Sequence, residues 1–431
     1  MRKIWLPLGL AAAGVLSAAQ PVLTTLYSFT DTYAVSQNPG PYPLTIGPGG
    51  VLYGVTYLGG TDDDGTIYSL TPPSEPGGSW TQAIIYTFTG TGDGANPFGQ
   101  LVLTMNAGGQ IVLYGTTEFE GGSIFSLTEP ESAGAPWVLS TLYSFNAKIA
   151  GGPAGVVMGP GGVLYGVTSS GGTGLCGTNE APGCGTVYSL TPPSSPGGSW
   201  TYTLLHTFSG DDGSLPGAAL VIGPGGVLYG TTEHGGTVDV NSCEVRSYGV
   251  VTVGCGTVFS MTPPASAGGA WSFNTLLNFD GTTDGKEPLS LVLGANGALY
   301  GSASNEVYSL TPPAAPGGDW TATVIEDFAT APGKTGSGPQ NLVMASNGVI
   351  YGVTGAGGKY SGGTVFLLKP PSSSAGSWSF GSLFSFNPAS MGYEPLGVTI
   401  GTANKQTVLY GTTQAGPASL GIYGTVFSLQ L

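Results

Sequence analysis

Residues 162–168 read Gly-Val-Leu-Tyr-Gly-Val-Thr, and the Leu-Tyr-Gly triplet inside this stretch decides the fold because it recurs along the whole chain. The triplet occurs seven times, once as Ile-Tyr-Gly, with its tyrosine at Tyr53, Tyr114, Tyr165, Tyr229, Tyr300, Tyr351 and Tyr410. The sequence therefore predicts seven copies of one structural unit.

Each copy contains four runs of β-branched and aromatic residues, which are clearest in the third copy at residues 154–158, 163–168, 186–190 and 200–208. Turns rich in glycine and proline separate the runs, and no helical periodicity of useful length is present. We name the four predicted strands a, b, c and d in chain order.

Two spacings within the copies are constant. In six copies the residue that opens strand c precedes a tryptophan by 15 positions, as Gly185 precedes Trp200, and this tryptophan precedes a phenylalanine by 8, as Trp200 precedes Phe208. An even offset predicts that the Trp and the Phe lie on one face of strand d and pack in the core. The alternative role for the tryptophans is stacking against carbohydrate.

The stretch between the Leu-Tyr-Gly tyrosine and strand c is variable, since it runs from 5 to 27 positions. In a radial array of four-stranded blades, the b-c and d-a loops emerge on one face, here called the variable face. The a-b and c-d loops emerge on the other, the scaffold face. In copy five, residues 302–305 replace the glycine-rich loop by a tight hairpin, which predicts a lower sector of the variable face.

The two ends of the repeat array are offset. The chain begins with a strand d at residues 22–29, where Pro21 replaces the usual Trp, and ends with a strand c at residues 424–429. Pairing these ends closes a ring, as in a β-propeller, whereas an open solenoid needs caps. We predict an all-β, seven-bladed β-propeller over residues 20–431, with a β-solenoid or two packed sandwiches as alternatives.

Residues 1–19 have the parts of a cleavable signal peptide. Arg2 and Lys3 precede an apolar run from Ile4 to Leu16, and small residues lead to a cleavage point near Ala19. The run is shorter than the roughly 20 residues of a membrane-spanning helix. We therefore expect a secreted or periplasmic protein with no membrane span in its mature chain.

The charge of the chain limits the classes of macromolecule that it is expected to bind. The chain has 24 acidic and 9 basic residues and a formal net charge of −15, so nucleic acid and anionic membrane surfaces are discounted as partners. Despite 77 glycines, 40% of the residues are hydrophobic, which is enough to supply a core.

The four cysteines form two local pairs, Cys176 with Cys184 and Cys243 with Cys255. Pairing of nearest neighbours suits an oxidising compartment and predicts two disulfides that staple loops. The alternative, a metal site of four thiolates, has no Cys-x-x-Cys motif to support it.

The repeated phrases, such as residues 162–168 and Gly-Thr-Val-Tyr-Ser-Leu at residues 185–190, resemble the bacterial GloVer tandem-repeat family of the choice-of-anchor type. The resemblance covers nearly the whole mature chain. It implies an exported, β-propeller-like protein and no defined reaction or catalytic residues.

The sequence contains two histidines, so any histidine-based mechanism depends on them. His206 takes the place of a strand-d tyrosine, which predicts a packed residue with its hydrogen bonds satisfied. His234 follows Glu233 at the start of a variable-face loop, where it is a candidate ligand or base. We name the following ligand-binding candidates on this face: Glu118, Phe119, Glu120, Glu233 and His234.

Most acidic residues fall in the predicted variable-face loops. The alternatives are solvated turn residues, a pair of carboxylates for glycosidic cleavage, or bound calcium. The calcium candidates are Asp62, Asp63, Asp64, Asp211 and Asp212, although no twelve-residue calcium loop is matched. No other cofactor is predicted.

The leading functional hypothesis is a non-enzymatic binding module. Its b-c and d-a loops would contact a glycan or a protein of the cell envelope or the environment. The alternative is an extracellular carbohydrate-active hydrolase or lyase that uses acidic residues over the central channel. A purely structural surface protein is a third possibility.

Overall fold

The β-branched and aromatic runs form strands as predicted, and in the computed structural model they build seven four-stranded antiparallel sheets. Neighbouring sheets contact each other around a closed ring, so the predicted seven-bladed β-propeller is confirmed. The structure describes all residues except 1–20, 31–36, 40–41, 76, 147–149, 175, 177–182, 196, 238–242, 244, 248–249, 253, 267, 316, 331, 374–375 and 418–419. The predicted signal peptide, residues 1–19, lies outside the described residues.

Each blade runs from strand a, at the central channel, to strand d, at the outer edge. In chain order of the blades, the a strands are Gln37–Pro39 with Thr45–Ile46, Pro97–Met105, Ala150–Met158, Val221–Ile222, Ser290–Leu293, Ser337–Met344 and Tyr393–Ala403. The b strands are Leu52–Leu58, Ile111–Thr117, Leu164–Gly171, Leu228–Thr232, Leu299–Ser302, Ile350–Ala356 and Gln406–Ala415.

The outer strands follow the same order. The c strands are Thr66–Thr71, Ser123–Thr128, Thr186–Thr191, Thr257–Thr262, Glu306–Thr311, Thr364–Lys369 and Ile422–Gln430. The d strands are Thr81–Thr87, Val138–Ser144, Thr201–Thr207, Ser272–Asn278, Thr321–Asp327, Ser379–Ser385 and, for blade 7, Val22–Thr30. The short additions are the 3-10 turns Pro48–Gly50, Phe119–Gly121, Pro160–Gly162 and Pro224–Gly226, the helix Pro332–Thr335, and a hairpin of Val245–Ser247 with Val250–Thr252.

The ring closes as the offset ends predict. The first strand, Val22–Thr30, pairs antiparallel with Ile422–Gln430, and its register runs from Val22 opposite Gln430 to Phe29 opposite Gly424. The first and last strands of the domain are therefore neighbours in one sheet, and blade 7 is complete only because the two ends of the domain meet.

An aromatic contact joins every blade to the next. The phenylalanine at the end of strand d packs edge-on or tilted against an aromatic residue in strand c of the following blade, with ring centroids 5.0 to 5.4 Å apart. The seven pairs are Phe29–Tyr68, Phe88–Phe125, Phe145–Tyr188, Phe208–Phe259, Phe279–Tyr308, Phe328–Phe366 and Phe386–Phe427.

A second aromatic contact explains the tyrosine of Leu-Tyr-Gly. Each strand-d tryptophan packs on the Leu-Tyr-Gly tyrosine of the preceding blade, at 5.4 to 6.2 Å between centroids. The six pairs are Tyr53–Trp137, Tyr114–Trp200, Tyr165–Trp271, Tyr229–Trp320, Tyr300–Trp378 and Tyr410–Trp80. Blade 7 has no such tryptophan because Pro21 stands in its place.

The predicted packing role of Trp and Phe is confirmed, but the prediction that they share one face of strand d is wrong. Trp80 packs with blade 7, whereas Phe88 packs with blade 2, on the opposite face of the same strand. The reason is a bulge, since Ile85 is left out of the register between Ile84 and Tyr86. One extra residue reverses the alternation of side chains. All seven d strands carry this bulge.

The glycine of Leu-Tyr-Gly is required by close packing within the blade. A Cβ on Gly166 would clash with the Tyr188 hydroxyl, and one on Gly230 would clash with the tip of the Phe259 ring. The tip of the strand-c ring thus lies against the strand-b backbone, which accounts for a glycine at this position of the triplet.

Both predicted disulfides are present. Cys176 bonds Cys184, and Cys243 bonds Cys255, with Cα atoms 4.8 and 5.1 Å apart, and no free cysteine remains. They lie in the b-c loops of blades 3 and 4, and two disulfides are typical of an oxidising compartment. Within the described parts of the chain, no helix has the length and hydrophobicity to cross a bilayer.

Candidate functional site

A backbone contact that recurs in several blades, here called the clip, links neighbouring loops of the variable face. The residue before a proline at the start of strand a has a positive φ in six blades, at Asn96, Gly152, Leu215, Glu287, Gly338 and Glu394. Four of these residues donate their N–H to the b-c loop of the preceding blade, for example Asn96 to the Asp64 carbonyl at 2.8 Å. Such strained backbone outside glycine is uncommon and persists where its surroundings fix it. The clip therefore fixes four d-a loops against the b-c loop of the preceding blade.

Several acidic residues of this face cap the turn after strand d. The carboxylates of Asp93, Asp212 and Asp284 accept the N–H of Thr89, Ser209 and Asp280 at 3.1, 2.8 and 2.8 Å. Each donor is the residue directly after the strand-d phenylalanine. These three acids therefore have a structural role in the d-a turns, in agreement with the turn-residue alternative.

His206 is packed and hydrogen-bonded, as the sequence predicts. Its ring stacks on Phe273 of blade 4 with centroids 3.9 Å apart, and its Nε2 lies 2.9 Å from the Asp212 carboxylate. Although partial burial opposes it, hydrogen bonding from His206 and Ser209 leaves the pKa of Asp212 below its usual range. The Asp212 carboxylate is thus occupied by its hydrogen bonds with His206 and Ser209.

The remaining calcium candidates lie in two loops. Asp63 accepts the Gly59 N–H at 2.7 Å, and burial together with the charges of Asp62, Asp93 and Asp63 raises the pKa of Asp64. Across the ranges that the structure describes, no group of three or more His, Cys, Asp or Glu side chains is arranged to hold a metal ion. Calcium at these residues stays a prediction.

A cavity of about 500 Å³ lies in the central channel and is lined by residues of all seven blades. Its walls come from the a strands and from the residues just before them, and these strands start at the variable face. In blades 2, 3, 6 and 7 the a strand has a bulge where it passes the cavity, as between Phe98 and Val102. Bulges of this kind redirect side chains and are common beside binding sites.

The lining of this cavity is uncharged. Among its described lining residues, five have polar side chains, which are Tyr42, Gln100, Ser290, Gln340 and Asn341, and the others are apolar or glycine. Sequence reasoning missed these residues because it searched for titratable groups. The available signal was their position, since Ser290 and Asn341 each stand 10 residues before the tyrosine of Leu-Tyr-Gly.

Glu118 lies close to this cavity. Burial, followed by the nearby Glu118 carboxylate, raises the pKa of Tyr57. Burial and the same two neighbours raise the pKa of the cavity-lining Tyr42 well above its ordinary value. The Tyr42 ring packs edge-on against Phe98 at 4.7 Å. Glu118, Tyr57 and Tyr42 thus form one cluster on the variable-face side of the channel.

The other predicted ligand-binding residues are separated. Phe119 is 55% exposed in the turn Phe119–Gly121, and the side chain of Glu120 lies outside the described residues. Glu233 and His234 lie in blade 4, where His234 is only 7% exposed and exchanges backbone hydrogen bonds with Ser214. The two sequence-adjacent pairs thus lie in different blades, Glu118 and Phe119 in blade 2 and Glu233 and His234 in blade 4.

Blade 5 has the tight b-c hairpin that its sequence predicts, and the lower sector of the face stays a prediction. Ala303 donates to the Glu306 carbonyl at 2.8 Å, which closes a two-residue hairpin. Beside it, Leu289 lines the channel cavity and is 40% exposed. Lys286 and Glu287 form an ion pair with N and O 3.6 Å apart at the same edge. Leu289 thus combines contact with the cavity and exposure to solvent beside the shortest b-c loop.

The turn before blade 5 holds two carboxylates with different proton affinities. Asp280 accepts hydrogen bonds from the backbone and side chains of Thr282 and Thr283, which hold its pKa far below its usual range despite some burial. Burial, and then the adjacent Asp280 carboxylate, raises the pKa of Asp284 to about 6. Divergent pKa values in a carboxylate pair are one feature of acid-base sites.

Replacing Asp284 by Asn is expected to stabilise the protein at neutral pH. A carboxyl whose pKa is higher in the folded state makes folding less favourable as the pH rises from about 4 to about 6. Asn keeps the acceptor for Asp280 N–H without the charge. Because Asp284 is partly exposed and solvent screens its charge, Asp284→Asn should gain only about 1 kcal/mol at pH 7.5 and little at pH 4. Urea unfolding at both pH values measures this, with the exposed Asp211→Asn as control. An equal effect at both pH values would contradict it.

Comparison with known proteins gives a family and a fold. The family described as Gloeobacter/Verrucomicrobia repeat matches residues 11–245 and 241–431. No protein of curated function matches the sequence. Among solved structures, a streptogramin B lyase aligns over 95% of this chain and 97% of its own, with a TM-score of 0.52 and 15% identity.

Two further structures have the same TM-score of 0.52. A catalytically inactive virginiamycin B lyase from Staphylococcus aureus, with quinupristin, aligns over 96% of this chain and 100% of its own at 13% identity. The extracellular domain of a putative hybrid two-component system from B. thetaiotaomicron aligns over 95% of this chain and 41% of that chain at 10% identity. At these identities the likeness establishes the fold alone.

Proposed function

The chain belongs to the Gloeobacter/Verrucomicrobia repeat family, and from that premise we propose that it is an exported binding protein without enzymatic activity. Its ligand is a glycan or a protein of the cell envelope or the environment. The binding surface is the variable face around the mouth of the central channel, where Glu118 and Phe119 lie.

One observation carries this proposal, namely the uncharged cavity in the channel. A volume of about 500 Å³ lies within the usual range of ligand pockets, and apolar walls with a few polar groups are typical of them. The Glu118, Tyr57 and Tyr42 cluster adds a charged acceptor and two aromatic rings close by. This combination favours binding over chemistry.

The positions of the acidic residues support the same conclusion. Carboxylates that cleave a glycosidic bond must converge on it from about 5 to 10 Å apart. Asp93, Asp212 and Asp284 instead cap separate d-a turns, and no carboxylate is among the described residues that line the cavity.

A carbohydrate-active hydrolase or lyase is the second candidate, because the pKa values of Asp280 and Asp284 diverge. That pair lies in the turn before blade 5, and Asp280 is occupied by its own turn. Release of reducing ends or unsaturated products from a polysaccharide, abolished by Asp284→Asn, would establish this alternative.

Replacing Glu118 by Gln together with Phe119 by Ala is expected to weaken ligand binding roughly tenfold or more, since a hydrogen bond to a charged group and an exposed aromatic contact are lost. Ligands are first found by thermal shift against polysaccharides and envelope proteins, each with calcium and with chelator. Saturation at about 100 times the Kd should add about 2.7 kcal/mol.

The matched control lies on the scaffold face, where Glu131→Gln with Met105→Ala changes one exposed acid and one exposed apolar residue. This control should bind normally, and both variants should keep the unfolding midpoint of the unliganded protein. Unchanged affinity of the Glu118 and Phe119 variant would move the binding surface away from this part of the face.

A further inference from the structure

The absence of charge in the channel cavity is informative in a chain with a net charge of −15. None of its described lining residues is Asp, Glu, Lys, Arg or His. Transfer of an unpaired charge into such surroundings is strongly unfavourable. The lining therefore favours a neutral ligand group over a charged one.

This preference separates the classes of linear polymer by the charge of their terminal groups. The ends of a peptide carry an ammonium or a carboxylate, and every nucleotide carries a phosphate. The terminal residue of a neutral polysaccharide carries hydroxyl groups and no charge. The end of this last class needs no countercharge, and the described lining residues supply none.

The polar groups of the lining match hydroxyl ligands. The Gln340 and Asn341 amides, like that of Gln100, can both donate and accept hydrogen bonds. Asn341 also has a φ of 40°, in the strained region that is held only where the surroundings fix it. Between the amides, Leu289 and the Tyr42 ring offer apolar surface for the carbon face of a sugar ring.

A chain end in the cavity needs a path for the rest of the chain, and blade 5 provides one. The Ser304–Asn305 hairpin is the shortest b-c connection of the seven, while the corresponding stretches of blades 4 and 6 take 27 and 12 positions against 5. At this edge, Leu289 lines the cavity and is also exposed to solvent. On the blade 6 side, Tyr360 is 44% exposed and Lys359 lies over its ring.

We propose that the channel cavity receives the uncharged terminal residue of a neutral polysaccharide, and that the following residues leave the molecule over the blade 5 hairpin. This inference rests on the proposed binding function and specifies its ligand class and its mode, which is recognition of a chain end.

The cavity is tested by Ala219→Trp, because Ala219 lines the cavity and its side chain is exposed to it. The probes are malto-, cello-, xylo-, laminari- and manno-oligosaccharides of one to six residues, with oligogalacturonates as charged counterparts. We expect one neutral series to bind and its affinity to fall roughly 30-fold or more in Ala219→Trp. The same change at exposed Ala133, on the scaffold face, should leave binding and the unfolding midpoint unchanged.

The exit is tested by inserting four residues between Ser304 and Asn305, with the same insertion between Ala314 and Ala315 as control. The first insertion should reduce the affinity for the hexasaccharide to that for the monosaccharide, and the second should have no effect. Unchanged hexasaccharide binding would overturn the exit over blade 5.

The outcomes separate this inference from the proposed function. If Ala219→Trp binds like the parent protein while the Glu118 and Phe119 variant does not, or if only oligogalacturonates bind, the protein is a binding module and the chain-end inference is wrong. If neither these probes nor any envelope protein binds the parent chain, both the proposed function and the inference fail.

Discussion

Deleting residues 21–30 is expected to abolish the stable monomer, although it removes none of the residues proposed to bind ligand. The deletion takes strand d from blade 7 and leaves Ile422–Gln430 as an unpaired edge. It also removes Phe29, whose contact with Tyr68 joins blade 7 to blade 1. Exposed strand edges recruit other chains, so we expect aggregation or oligomers on size-exclusion chromatography with light scattering.

The expected loss is comparable with the whole stability of a domain, about 5 to 15 kcal/mol, because the ring itself opens. The control is a chain that begins at Pro21 and keeps the strand. A synthetic peptide of residues 21–30, added to the deleted protein, should restore monomers by adding the missing strand to the exposed edge. A deleted protein that stays monomeric with the parent unfolding midpoint would show that this pairing does not close the ring.

Replacing Phe279 by Ala is expected to cost about 3 to 5 kcal/mol, the usual range for a buried phenylalanine. Phe279 is fully buried and packs on Tyr308 at 5.2 Å across the interface between blades 4 and 5. Truncation leaves a cavity between two sheets whose strands are held by their own hydrogen bonds and cannot collapse into it. Denaturant unfolding followed by tryptophan fluorescence gives the change in free energy.

The matched control is Phe119→Ala, which makes the same change at an exposed side chain and should alter stability by less than about 0.5 kcal/mol. A similar small effect for Phe279→Ala would mean that the aromatic contacts between blades contribute little. The stability of the ring would then come mainly from pairing within each sheet.

The fold was predictable because the same pattern of strands and turns recurs seven times in the sequence. Leu-Tyr-Gly, the Trp and the Phe recur because each meets a neighbouring blade or a neighbouring strand, so their spacing reflects packing. The disulfides were predictable for a related reason, since each joins cysteines within one loop. The arrangement of Trp and Phe on opposite faces was not, because nothing in the local sequence marks the bulge at Ile85 and its equivalents.

The candidate site was only partly predictable. Loop length identified the variable face, and Glu118 was among the predicted residues, but its partners Tyr42 and Tyr57 come from blade 1 and are distant in sequence. The channel lining was not predicted because Gln100, Ser290 and Asn341 carry no titratable group and converge only when the ring closes, although two of them share a position relative to Leu-Tyr-Gly. The acidic composition made residues such as Asp212 candidates for a site. Their hydrogen bonds instead show a role in turns.

The offset between the sequence repeat and the blade has a consequence for how such proteins can change in size. One sequence repeat runs from strand d of one blade through strand c of the next, so the seam between Val22–Thr30 and Ile422–Gln430 lies outside every internal repeat. Duplication or loss of one internal repeat inserts or removes one whole blade and leaves this seam untouched. Gene duplication can therefore alter the circumference of the ring, and with it the bore of the channel, in single steps that each preserve a closed molecule.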